Sequence, residues 1–207
     1  MNQKLLQSLP THITCIGVSK HQSLDTIKKA YSFGIHDFGE NKVQELLTKT
    51  ESNQPWRWHF IGHLQTNKVR LLLPYVYMIH SVDSIKLCEV IEKEASRIQK
   101  TIPILLQLNL THEISKYGLD ESTMKYLIQN QDQYPHLQFK GIMVMGPTSN
   151  DEFHTKAVFD QAFKIHQDNI KNSPHMNILS MGMSDDYHWA IERGATHIRL
   201  GRALFKE

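Results

Sequence analysis

The sequence predicts an α/β fold, a single closed (β/α)8 TIM barrel formed by residues 1–207 as one domain. Short apolar segments alternate eight times with longer amphipathic segments, and buried parallel strands have this apolar character. No low-complexity linker divides the chain. Eight alternations favour a closed barrel over an open doubly wound sheet. That alternative lacks its GxGxxG turn after the first strand, where Val18-Ser19-Lys20 stands.

The eight predicted strands are short, apolar or β-branched, and bounded by polar or turn residues. In chain order they are Ile13–Lys20, His36–Asn41, Arg57–Gly62, Met78–Asp83, Pro103–Asn109, Leu137–Gly146, Ile178–Ser184 and Thr196–Gly201. The segments between them have helical periodicity, and each begins with a residue that can cap a helix. The predicted helices are Ser23–Phe33, Ser84–Gln99, Asp120–Gln131, Asp151–Ile170 and Asp186–Arg193.

The composition is typical of a soluble globular domain, with 40% hydrophobic and 21% charged residues. A formal net charge of +2 gives no strong field for nucleic acid. No apolar run reaches the roughly 20 residues of a membrane span, and residues 1–10 do not resemble a signal peptide. Cys15 and Cys88 are predicted core residues of a protein in a reducing compartment, so we expect a cytoplasmic location. The 13 histidines show no HExxH or CxxH spacing, so no metal site is predicted.

Polar residues collect where the predicted strands end. In a (β/α)8 barrel, functional groups lie at the carboxyl ends of the strands. These ends carry Lys20, Glu40-Asn41, His63, Ser81, Asp83, Asn109, Met145, Ser184, Arg199 and Gly201-Arg202. Taken singly, several of these residues could be helix caps. Their shared position predicts a functional site at this rim.

The last two strand ends predict a phosphate site. Barrel phosphate sites are often built from the loops after strands seven and eight, with backbone N–H groups directed at the anion. Gly201 allows close approach of the backbone, Ser184 can donate a hydrogen bond, and Arg202 adds charge. The structural alternative is a tight glycine turn followed by a solvated arginine.

A lysine across the barrel mouth from a phosphate site indicates pyridoxal 5'-phosphate (PLP) as the cofactor. PLP is anchored by its phosphate and forms a Schiff base with a lysine amine. Lys20 is the predicted amine, and desolvation at the barrel mouth would help it to lose its proton. Arg199 is placed to meet the pyridine nitrogen. Because an arginine keeps its proton, that nitrogen would stay unprotonated and the ring would be a weak electron sink.

Motifs along almost the whole chain also match a known family. They are Val18-Ser19-Lys20, Gly39-Glu40-Asn41, Val43-Gln44-Glu45, the run from Trp58 to Lys68, Ser81-Val82-Asp83-Ser84, Lys116-Tyr117-Gly118, Gly182-Met183-Ser184-Asp185-Asp186 and Ile198-Arg199-Leu200-Gly201-Arg202. In this order they resemble the pyridoxal phosphate homeostasis proteins, which are related to the barrel domain of bacterial alanine racemases.

The resemblance implies a role for each candidate site residue. Lys20 would be the Schiff-base lysine, Arg199 the partner of the ring nitrogen, and Asn41 a neighbour of the cofactor. Ser184, Gly201 and Arg202 would hold the phosphate. Family members are usually single barrels that bind PLP reversibly without established turnover and act in vitamin B6 homeostasis. The resemblance therefore implies a monomer with no catalytic residue, and PLP-dependent apoenzymes as candidate partners.

Two other functions stay open at this point. An amino-acid racemase of the related fold would need a β-domain that carries a catalytic tyrosine, and the sequence shows no room for one after Phe205. Tyr117 is the tyrosine that lies in a predicted strand-end loop. A barrel for another phosphorylated metabolite would use the phosphate loops without Lys20. Lys68 and Lys116 also match family positions, and we expect both to be solvated basic residues.

Overall fold

Eight parallel strands close into a barrel in which each strand pairs with the next along the chain and β1 pairs with β8. The computed structural model describes residues 1–111, 113, 116–149, 151–171 and 173–205. The strands are β1 (Thr14–Val18), β2 (Asp37–Glu40), β3 (Arg57–Phe60), β4 (Met78–Val82), β5 (Ile102–Leu108), β6 (Leu137–Val144), β7 (Ile178–Ser180) and β8 (His197–Leu200). This topology confirms the predicted closed (β/α)8 barrel and excludes the open sheet.

The helices surround the barrel. Their bounds are α1 (Gln3–Ser8), α2 (Leu24–Ser32), α3 (Val43–Thr48), α4 (Val69–Leu72), α5 (Ile85–Arg97), α6 (Glu121–Gln129), α7 (Glu152–Ile170), α8 (Tyr187–Glu192) and α9 (Arg202–Phe205). The side chains of Ser23, Ser84, Asp120 and Asp151 accept hydrogen bonds from the first turns of α2, α5, α6 and α7. Four predicted helix starts therefore have a physical cause, because these caps satisfy otherwise unpaired N–H groups.

Several strands end earlier than predicted, and this difference defines the rim. β1 stops at Val18, two residues before Lys20, and β7 stops at Ser180, four residues before Ser184. The chain leaves β7 through Gly182, whose φ of +89° is strained for other residues. Lys20 and Ser184 therefore lie on loops that follow their strands, where functional groups of a barrel are expected.

The larger hydrophobic core lies between the sheet and the helices. Phe38, Ile79 and Leu106 on the strands pack there with Ile27 and Ile91 on the helices, and all five are fully buried. Cys88 is buried in this core and Cys15 is half-buried, and burial raises the pKa of each thiol to about 12. Both cysteines are free, as predicted, and their thiols stay protonated at neutral pH, which makes them poor nucleophiles.

The interior of the barrel is partly polar. A small cluster of Met78, Leu105 and Met143 fills one part. The other part holds Asp37, His59, His80, Ser180 and Arg199, all at most 5% exposed. Barrels of this class usually fill their interior with branched aliphatic residues. None of the helices in the described parts of the chain is long and apolar enough to cross a membrane.

Candidate functional site

A cavity of about 370 Å³ opens at the carboxyl end of the strands. Its lining consists of Val18, Lys20, Asn41, Ile61, Gly62, His63, Gln107, Leu108, Asn109, Lys116, Tyr117, Met143, Met145, Met183 and Arg199. The cavity therefore brings together three of the six predicted site residues: Lys20 and Asn41 from the loops after β1 and β2, and Arg199 from β8. Eight of these fifteen residues carry polar groups that can orient a ligand, and the other seven are apolar or glycine.

Lys20 lies on the loop after β1, and the backbone on both sides of it is fixed. Ser19 is fully buried. Its N–H donates to Gly39 O at 3.0 Å, and its hydroxyl donates to Glu40 Oε1 at 2.7 Å. On the other side, the His21 N–H donates to Glu45 Oε1. Lys20 itself is exposed, so the structure does not provide the desolvation of its amine that the sequence prediction invokes.

An ion cluster behind the barrel wall anchors this loop. Lys49 Nζ donates to Ser19 O and to Glu40 Oε1, both at 2.7 Å, and to Glu45 Oε1 at 2.8 Å. Burial raises the pKa of Glu40, although the hydrogen bond from Lys49 opposes this effect. Glu40 is fully buried and contacts the helix layer. Glu40 ends β2, as predicted, but its side chain is absent from the cavity lining, because neighbouring residues of a strand point to opposite faces.

The predicted phosphate loops adjoin the cavity. Ser184 Oγ accepts hydrogen bonds from the Gly201 N–H at 3.2 Å and from the Ala203 N–H at 3.1 Å. The three atoms nearest to a Cβ at Gly201 would belong to Val18, at 3.5 Å or more. Val18 and Met183 both line the cavity, so these loops border it. Both N–H groups are paired with Ser184 Oγ in this structure, and a phosphate at this position would take the place of the hydroxyl as their acceptor while Ser184 donates to it.

Arg202 points elsewhere. Its guanidinium forms an ion pair with Asp185, and its side chain is 66% exposed. The residue begins α9 but is absent from the cavity lining. The structure therefore brings Ser184 and Gly201 together as predicted, whereas the side chain of Arg202 lies at the surface.

Arg199 lies at the inner side of the cavity. Its Nη1 donates to Ser180 Oγ at 2.7 Å and its Nη2 donates to Val144 O at 3.1 Å. Burial lowers the pKa of Arg199 to about 10, although the Asp186 carboxylate opposes this effect. The guanidinium therefore keeps its proton at neutral pH. A guanidinium has five N–H groups, so Arg199 can also donate to an acceptor in the cavity.

Other rim residues form a wall that the sequence predicted only as separate strand ends. His63 Nδ1 lies 2.9 Å from Asp83 Oδ2, and the His63 ring stacks on Tyr117 with centroids 3.7 Å apart. Lys116 Nζ donates to Glu113 Oε1 at 2.8 Å and to Gly146 O at 2.7 Å. Its side chain is only 15% exposed. The prediction of a solvated Lys116 is therefore wrong, because the amine connects two loops of the rim.

The sequence did not predict the residues whose hydrogen bonds fix the Lys20 loop and Arg199. Lys49 lies just after α3, at its C-cap, and reaches the loop after β1 only in the folded chain. Ser180 and His80 lie inside strands and contact each other at 3.1 Å. A polar residue within an otherwise apolar strand is the one signal that could have indicated Ser180 and His80.

Comparisons with known proteins show the family of this chain. Residues 5–207 match the family model of the alanine racemase N-terminal domain. The chain is 40% identical to the pyridoxal phosphate homeostasis protein of Helicobacter pylori over 199 residues, which cover 94% of this chain and 88% of that protein. It is 34% identical to the Bos taurus protein of the same name, over 93% of this chain and 76% of that one.

Solved structures show the same fold. PipY of Synechococcus elongatus, solved with PLP bound, superimposes with a TM-score of 0.90 at 33% identity, over 98% of this chain and 96% of PipY. Alanine racemase of Clostridium difficile gives a TM-score of 0.82 at 12% identity, over all of this chain and 55% of the racemase. The second similarity concerns the fold alone. The chain belongs to the family of pyridoxal phosphate homeostasis proteins, built on the alanine racemase N-terminal barrel.

Proposed function

We propose that this protein binds PLP and acts in the intracellular homeostasis of PLP, the active form of vitamin B6. The observation that carries the proposal is the meeting of Lys20, Asn41 and Arg199 in one cavity beside the donors around Ser184. The relatives named for PLP homeostasis and the PLP-bound PipY structure support the same cofactor. A binder of another phosphorylated metabolite could use the phosphate loops without needing Lys20.

Each residue has a defined part in holding the cofactor. Lys20 is exposed on an anchored loop, so its amine is accessible and would hold PLP through the cofactor's aldehyde. Ser184 and the backbone N–H groups of Gly201 and Ala203, which now pair with each other, would hold the phosphate. Arg199 would donate to the pyridine nitrogen, and Asn41 would lie beside the ring, since both residues line the cavity. Bound PLP would supply a reactive aldehyde carbon and an electron-withdrawing ring.

The same residues favour binding over catalysis. A carboxylate beside the pyridine nitrogen would let the ring take up a proton and withdraw electrons strongly. Arg199 keeps its own proton, because even its lowered pKa of about 10 is far above neutral pH. We therefore infer that the protein does not turn over amino acids efficiently. We further propose that it is a cytoplasmic monomer that delivers PLP to PLP-dependent apoenzymes.

Absorbance spectroscopy tests the proposal. Addition of PLP to the wild-type protein is expected to give a visible Schiff-base band, and borohydride reduction should fix the cofactor on Lys20, as detected by peptide mass analysis. Lys20→Ala should lose the band and the mass adduct. Lys42→Ala is the matched control, because Lys42 is an exposed lysine near the cavity but outside its lining. Absence of the Schiff-base band in the wild-type protein, or an unchanged band in Lys20→Ala, would refute the proposal.

Turnover is tested separately. Racemisation of several amino acids by the PLP-loaded protein, followed by chiral chromatography, is expected to be no faster than with free PLP. Robust turnover that disappears in Lys20→Ala would show an enzyme and contradict the carrier function. Sedimentation analysis is expected to give a mass near the 24.1 kDa of one chain.

A further inference from the structure

Five polar side chains form a continuous hydrogen-bonded chain through the barrel, here called the interior relay. Arg199 Nη1 lies 2.7 Å from Ser180 Oγ, which lies 3.1 Å from His80 Nδ1. His80 Nε2 lies 2.9 Å from His59 Nδ1, and His59 Nε2 lies 2.8 Å from Asp37 Oδ1. All five residues are at most 5% exposed. They come from β2, β3, β4, β7 and β8, so the relay crosses the barrel interior.

We propose that the interior relay positions Arg199 at the cavity and connects it to Arg57 at the opposite end of the barrel. Arg57 is the first residue of β3, and its Nε and Nη2 donate to the two carboxylate oxygens of Asp37, each at 2.7 Å. Its side chain is 48% exposed. The inference rests on the proposed function, because Arg199 is the residue assigned to the pyridine nitrogen of PLP.

The hydrogen bonds of the relay are satisfied in one direction when both histidines are neutral. Ionised Asp37 only accepts, so His59 carries its proton on Nε2 and accepts at Nδ1. His80 then donates from Nε2 and accepts at Nδ1 from the Ser180 hydroxyl. The Ser180 oxygen keeps a lone pair for Arg199. Every donor points towards Asp37, and both histidines have the Nε2–H tautomer.

Burial keeps the relay in this state. It lowers the pKa of His80 well below the ordinary 6.5, and it lowers the pKa of His59 despite the nearby Asp37 carboxylate. Burial would raise the pKa of Asp37, but the hydrogen bonds from His59 and Arg57 outweigh it and the pKa falls. At neutral pH the histidines are therefore neutral and Asp37 is ionised, which fixes the direction of the hydrogen bonds.

Groups on neighbouring elements face the relay without breaking this assignment. They are Cys15 on β1, Tyr77 before β4, Asp186 before α8 and His197 on β8. Burial raises the pKa of Cys15 to about 12 and lowers that of His197 to about 4, so both are uncharged at neutral pH. The Tyr77 ring lies 5.1 Å from the Arg57 guanidinium, and Asp186 faces Arg199.

The tautomers can be measured in the protein without PLP. Long-range ¹H–¹⁵N correlation of the histidine rings is expected to show the Nε2–H tautomer for His59 and His80 at pH 7. An Nδ1–H tautomer or a cationic ring at either position would overturn the relay. If the wild-type protein fails to bind PLP, the proposed function fails, and this measurement still decides the direction of the hydrogen bonds.

Ser180→Ala removes the oxygen between His80 and Arg199, and Ser81→Ala is its matched control. Both serines are fully buried in strands, and Ser81, which the sequence places at the rim, is absent from the cavity lining. Within the described residues, Ser81 Oγ has no hydrogen-bond partner. Ser180→Ala is expected to weaken PLP binding about tenfold, as loss of a hydrogen bond to a charged group should. The ring nitrogen of bound ¹⁵N-labelled PLP should also take up a proton at higher pH, because Arg199 no longer holds it unprotonated.

Ser81→Ala should leave both quantities at their wild-type values. Equal effects in the two variants would indicate a general response to loss of a buried hydroxyl and would overturn the positioning role of Ser180. A Ser180→Ala protein with wild-type affinity and wild-type protonation of the ring nitrogen would overturn it as well.

Arg57→Gln tests the connection to the opposite end of the barrel. Without Arg57, the full charge of Asp37 acts on His59, which then protonates at higher pH. A cationic His59 cannot accept from His80, so the relay loses its direction. The pH midpoint at which PLP binding is lost on acidification should rise by about one unit. Arg70→Gln, at an exposed arginine of α4, is the control. An unchanged pH midpoint of PLP binding in Arg57→Gln would contradict the connection. An equal rise of the midpoint in both variants would contradict it as well.

Discussion

Mild acid is expected to destabilise the barrel through His197. Burial and the neighbouring His59 lower the pKa of His197 from 6.5 to about 4. The unfolded chain therefore binds a proton below about pH 6.5 that the folded chain does not bind until about pH 4, so stability falls as the pH drops through this window. The full shift corresponds to about 3 kcal/mol, and about 2 kcal/mol of it is lost between pH 7 and pH 5.

Urea unfolding at pH 7 and pH 5, followed by circular dichroism, measures this loss. His197→Gln should reduce the difference in unfolding free energy between the two pH values by about 2 kcal/mol. The comparison cancels the contact between His197 Nδ1 and Thr196 Oγ1 at 3.0 Å, which the variant loses at both pH values. His175→Gln removes an exposed histidine as a control. If His197→Gln retains the wild-type difference, the assigned pKa shift is refuted.

Urea unfolding also measures the effect of three further substitutions on the free energy of unfolding. Lys49→Met leaves a buried carboxylate on β2 without its partner and should cost about 3 kcal/mol. Gly141→Ala places a Cβ 1.8 Å from Ile178 O at a φ of +150°, so the free energy of unfolding should fall by more than about 3 kcal/mol or the protein should not fold. Arg202→Ala breaks an exposed ion pair and should change stability by less than about 1 kcal/mol.

The sequence predicts the strands well and their ends poorly. Apolar runs locate all eight strands, because buried parallel strands need apolar residues on both faces. The run in β1 continues through Gly17, Val18 and Ser19, so composition does not reveal that pairing stops at Val18. Helices α1, α3 and α4 have only four to six residues, too few for a periodic pattern to stand out.

The candidate site was predictable where one strand end supplies one residue. Lys20, Asn41 and Arg199 follow from the rule that barrel sites lie at the carboxyl ends of strands. Glu40 also ends its strand, but the rule does not predict that its side chain faces the helix layer while its neighbour Asn41 lines the cavity. The sequence alone does not fix that alternation. Lys49 supports Lys20 through contacts that only the folded chain creates.

The polar interior of the barrel is hard to explain by stability alone. Aliphatic residues would fill the space of Asp37, His59 and His80 without desolvating polar atoms. A buried polar network is tolerable when its members are satisfied, and in this relay each contact that links Arg199 to Asp37 has a definite donor and acceptor. Such an arrangement favours one orientation of Arg199 over others. A site that must present a charged donor to one atom of a cofactor needs this specificity, which an apolar interior could not supply.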